Sequence, residues 1–136
     1  MKKIYLLSAL ALSTLFNANA QIVFNTSIES WSAGLPTDMY GAKSNIVADS
    51  VIQVTGSSDY GNNAARLKNT TTTHKRFTTL PLTVTNTTTY EIKFWVKGQG
   101  DIRTGLFDGR VTGFGYAPYN AYIAVNSTSW AMQTQT

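Results

Sequence analysis

The chain carries one histidine, His74, and no cysteine. Zinc sites and Ser-His-Asp triads need an imidazole, so His74 would have to serve any of them. No HExxH, GxSxG or paired-histidine spacing accompanies it. A single His in the Thr-rich stretch "NTTTTHKRFTT" (69–79) reads as a surface residue. The segment "GQGDIRTGLFDG" (98–109) contains G-x-G, but a third glycine is misplaced and no Walker lysine follows. Glycines of a hairpin or bulge explain it better than a phosphate cradle. The seven acids are Glu29, Asp38, Asp49, Asp59, Glu91, Asp101 and Asp108. Most fall in expected turns, where Asp bonds the local backbone, and their spacing offers no glycosidase pair. The chain is therefore read as not an enzyme.

Trp95 carries the most informative signal. In "TTYEIKFWVKG" (88–98), Tyr90, Ile92, Phe94 and Val96 point one way. Glu91, Lys93, Trp95 and Lys97 point the other. A tryptophan on the polar side of an alternating strand escapes the core by period. It would either stack on the apolar face of a sugar ring or pack under a loop or neighbouring module. Arg66, Lys93, Lys97 and Arg103 are candidates to share that face, which would suit an anionic sugar as well as a neutral one. Tyr116, Tyr119 and Tyr122 form a second aromatic cluster, and Arg76 could add a donor from the end of the threonine run.

These residues must be held by strands. The chain has 136 residues, which suggests one domain. Lys2 and Lys3, an apolar run to Phe16 and the small-x-small Ala18-Asn19-Ala20 read as a secretory signal peptide over 1–20. That run is short for a bilayer span. Removing it takes two of eleven basic residues and leaves nine against seven acids, a balance of +2. Such a balance is no case for a nucleic-acid partner, and none is expected with a membrane after cleavage. Without cysteine there are no disulfides.

The remainder, 21–136, is rich in Thr, Val, Ile and aromatics, with Gly, Asn, Asp and Ser between apolar runs, and shows no 3.6-residue stripe. This predicts one all-β domain of short strands. Strands are expected at 22–31, 50–55, 64–69 and 88–98, with others in "DIRTGLFDG" and "AYIAVN". Strand-like residues run up to Thr136. Either the domain ends on a strand, or it is cut before its last strand or strands. Sequons at Asn25, Asn69, Asn86 and Asn126 matter only in a glycosylating host.

Taken together, "FNTSIESWSAGLPTDMYG", "YGNNAARLKN", "TYEIKFWVKGQGDIRTGLFDG" and "VNSTSW" resemble, in order and spacing, the galactose-binding-like jelly-roll modules. The likeness is to carbohydrate-binding modules of the four/nine type, as appended to secreted Bacteroidetes proteins. The resemblance implies a jelly-roll β-sandwich of two antiparallel sheets, a non-catalytic accessory role, extracellular or cell-surface placement and other domains of a longer protein as partners. It places Phe77 toward the core, on a strand following the threonine run. It also implies a possible structural calcium between Glu29, the turn near Asp59 and a closing Asp beyond Thr136. The ligand set expected is Trp95, Arg66, Lys93, Arg103, Arg76 and Tyr122, facing a polysaccharide or glycoconjugate. A structural spacer or protein-interaction jelly roll is the competing expectation.

Overall fold

The computed structural model describes residues 22–58, 61–85, 87–108 and 119–136. The segment 1–20 expected to be a signal peptide, and Asp59, Asn86 and Tyr116, lie outside these residues. Among the described residues the regular structure is all-β, with a single 3-10 turn at Ala48–Ser50. Three two-stranded antiparallel sheets form: β1 (Trp31–Ser32) with β2 (Leu35–Pro36), β3 (Val51–Ser58) with β4 (Gly61–Leu67), and β5 (Ile92–Ile102) with β6 (Ile123–Gln135).

The alternating, β-branched run at 51–55 explains β3. Its ladder with β4 runs from Val51↔Leu67 to Ser58↔Gly61, and Lys68 N extends it onto Ser50 O at 2.8 Å. Pro36, Ile46 and Val51 are the buried side chains of this half, and β2 lies against β3. The connecting segments are fixed by polar bonds rather than ladders. Tyr40 Oη donates to Ile46 O at 2.7 Å. Arg76 O accepts from Asn45 N and Ile46 N, and Thr78 O accepts from Gly41 N.

Two expected strands are not regular strands. Residues 22–30 carry no ladder; only Trp31 and Ser32 of the expected 22–31 strand and its continuation pair. The reason is local. Thr26 Oγ1 accepts from Ile28 N at 2.9 Å, and Ile28 turns to φ 60°, which breaks an extended run. The segment around Phe77 forms no ladder: its one β-bridge is Met39↔Thr79, and separate bonds from residues 41, 45 and 46 to Thr78 O and Arg76 O hold it in place. Phe77 itself is half-buried, with its ring centroid 6.5 Å from that of Tyr40.

The β5–β6 ribbon is longer than the sequence suggests. β5 begins at Ile92 and continues past Gly98, absorbing only Asp101 and Ile102 of "DIRTGLFDG". The runs expected at 121–126 and after it merge into β6. A ladder from Ile92↔Gln135 to Ile102↔Ile123 would be about 33 Å long if straight. Yet Thr104 N, just past one end, donates to Gln135 Oε1 at the other end, at 2.7 Å. The ribbon therefore folds back on itself.

The bend sits where the register shifts, between Val96 and Gly98. There β6 places Thr128, Ser129 and Trp130 opposite Lys97, a bulge that sharpens the local twist. Gly98 and Gly100 adopt φ 125° and 145°, a conformation open mainly to glycine. The two glycines of G-x-G thus form a sheet corner. Gln135 shares its ladder face with Ile92, Phe94 and Val96. All three apolar side chains are half-buried, as are Ile102, Ile123 and Val125 beyond the bend, and this apolar face lines the inside of the fold.

Candidate functional site

The outer face of the first arm carries the alternation read from sequence. Lys93, Trp95 and Lys97 are exposed between half-buried Phe94 and Val96. Trp95 is 38% exposed and stands directly opposite Met132, which is 51% exposed. Lys93 stands opposite Thr134. Trp130, two residues before Met132, comes to the same face across from Lys97, whose Nζ lies 4.9 Å from the ring centroid. Lys93 Nζ pairs with Glu91 Oε1 at 2.6 Å, both side chains half exposed. The result is an apolar surface of two tryptophans and a methionine, rimmed by two ammonium groups. Contact with a ligand there would be by stacking with edge hydrogen bonds.

Trp130 and Met132 were not among the expected ligand residues. The period-2 run Trp130, Met132, Thr134 was visible, but only the ladder register sets it beside Trp95.

The other expected residues are dispersed. Arg66 is exposed on β4, opposite Ile52, in a different sheet from Trp95. Arg76 holds the 43–46 loop: its Nε donates to Lys43 O at 3.2 Å, and its backbone N donates to Asn45 Oδ1 at 2.5 Å. Arg103 and Tyr122 sit together at the end of the second arm. The Arg103 guanidinium carbon lies 4.3 Å from the ring centroids of both Tyr119 and Tyr122. Nearby, Thr104 N and Oγ1 donate to Gln135 Oε1, Asn120 Nδ2 donates to Thr104 Oγ1, and Gln135 Nε2 donates to Ala121 O. This network fixes the backbone on either side of the stack. His74 lies against Tyr119, the ring centroids 6.5 Å apart.

Between the ends of the folded ribbon is a recess of about 230 Å³, lined by Tyr90, Ile92, Leu106, Asn120 and Thr136 among others. It is smaller than a typical small-molecule pocket.

Glu29 meets the β3–β4 hairpin. Its Oε1 accepts from Asn63 N at 3.0 Å and its Oε2 from Asn63 Nδ2 at 2.8 Å. Gly61 is required beside it, because a Cβ there would run into the carboxylate. Calcium takes six to eight oxygens. Both oxygens of Glu29 are engaged by Asn63, and Asp59 is outside the described residues. Among the described residues no group of three His, Cys, Asp or Glu could hold a metal ion. No helix among the described residues is long and apolar enough to cross a membrane.

The chain matches no family model, no curated protein and no solved structure.

Proposed function

We propose that the chain is a non-catalytic, secreted binding module of jelly-roll type that holds a polysaccharide or glycoconjugate. The supporting observation is the outward Trp95 beside Trp130 and Met132, on a strand face rimmed by Lys93 and Lys97. Tryptophan faces complement the C–H faces of sugar rings, and ammonium groups at the rim donate to hydroxyls. A shallow stacking surface binds weakly by itself. Its use is to raise the effective concentration of an attached catalytic partner at its substrate. In the test, Trp95→Ala abolishes retention on an immobilised glycan while the melting temperature stays unchanged. Equal loss of both would assign Trp95 to packing.

A second reading is a structural spacer or protein-interaction module. The observation that favours it is the row of exposed Leu80, Leu82 and Val84, apolar side chains suited to a protein partner. A glycan screen without hits would select this reading. Turnover by the purified chain, lost on His74→Ala, would overturn both.

A further inference from the structure

Arg103 is apart from the Trp95 face and is built differently. Its guanidinium is shared by two tyrosine rings at equal distance. No carboxylate of the described residues pairs with it. Two rings at this distance hold the guanidinium by cation–π contact, and its N–H groups form a planar fork. The fork is positioned before any ligand arrives. Tyr119 and Tyr122 bracket Asn120 and Ala121, which are bonded to Thr104 and Gln135 respectively. A Cβ at Gly105 would collide with the Tyr119 ring, so the ring lies directly on that backbone. The chain thus uses the close of the ribbon to hold one arginine on two aromatic walls. Such preorganisation lowers the ordering cost of a bidentate contact.

We propose that Arg103, with Tyr119 and Tyr122, is an anion-recognition point separate from the Trp95 face, and that it takes the carboxylate of a uronate-containing saccharide. The fork geometry matches a planar carboxylate, and Tyr122, 51% exposed, offers a surface for the sugar ring that carries it. The saccharide character of the occupant rests on the function proposed above; the anion-binding fork rests on the geometry around Arg103 alone.

The test titrates the full chain with tri-galacturonate, its methyl ester and a tetra-aspartate peptide, following the Arg103 Nε–H and the Thr104 and Asn120 amides by NMR. Tri-galacturonate is expected to shift these signals, with affinity falling as salt rises. The ester should bind at least tenfold more weakly, and so should tri-galacturonate to Arg103→Lys, which keeps the charge and loses the fork. Trp95→Ala should leave these shifts intact. Absence of any Trp95-dependent glycan retention, together with intact shifts at Arg103, would sink the first proposal and leave this one standing. Equal binding of acid and ester, or unchanged binding by Arg103→Lys, would overturn the fork. Tighter binding of the peptide than of tri-galacturonate would overturn the saccharide assignment.

Discussion

The half built on β3 and β4 and the half built on β5 and β6 use several of their charged side chains differently. In the first, Glu29, Arg76 and Tyr40 turn onto the backbone. Glu29 bonds the hairpin through Asn63, Arg76 bonds the 43–46 loop, and Tyr40 bonds Ile46 O. These segments have too little regular ladder to satisfy their own backbone groups, so side chains satisfy them. In the second half the ladder is long and satisfies its own backbone. There Lys93 meets Glu91, Lys97 the Trp130 ring, and Arg103 the rings of Tyr119 and Tyr122. Regular pairing frees side chains for recognition; irregular coil consumes them.

Substitutions can break this contrast in decreasing order of effect. The largest falls on the corner. Replacing Gly98 and Gly100 together by Val forces two residues into φ near 125° and 145°, which costs about 1–3 kcal/mol each. Urea denaturation should show a loss of about 2–6 kcal/mol in total, and the Thr104–Gln135 contact should open by NMR. A variant as stable as the parent would mean that the bend does not depend on glycine.

Next is Glu29→Ala, which strips two hydrogen bonds from Asn63. Bonds to a charged group are the stronger kind, so a loss of about 1–3 kcal/mol is expected. Amide exchange should speed up at residues 61–63 and not in β5. Even loosening of both halves would erase the distinction drawn between them. The smallest effect belongs to Lys93→Ala. It removes an exposed ion pair and should change stability by under about 0.5 kcal/mol, as read from the melting curve. A larger change would show that the outer face of the ribbon carries structure as well as ligand contacts.

Much of this was legible in the residues themselves. The strand cores at 51–55 and 92–97 follow from alternation, and the outward position of Trp95 follows from its parity with Lys93 and Lys97. The G-x-G pair was readable as bulge or hairpin glycine because no helix or Walker lysine accompanied it. The failures share one cause. The run at 22–31 has strand composition, but a Thr26 turn and the φ of Ile28 divert it. Propensity cannot register a local side-chain bond that outcompetes a ladder. Arg76 looked like a ligand donor, and its reach to Lys43 O depends on a loop more than thirty residues away.

What the sequence determined by itself is the all-β character and the side of β5 to which each residue belongs. Strand period is a local property of the backbone, fixed two residues at a time. Only the tertiary structure decided which residues became neighbours. The register set Trp130 and Met132 beside Trp95, and the glycine corner returned Gln135 to Thr104 and so fixed the frame around Arg103. Register and bend are relations between distant segments, set by how the ladder closes and where it can turn.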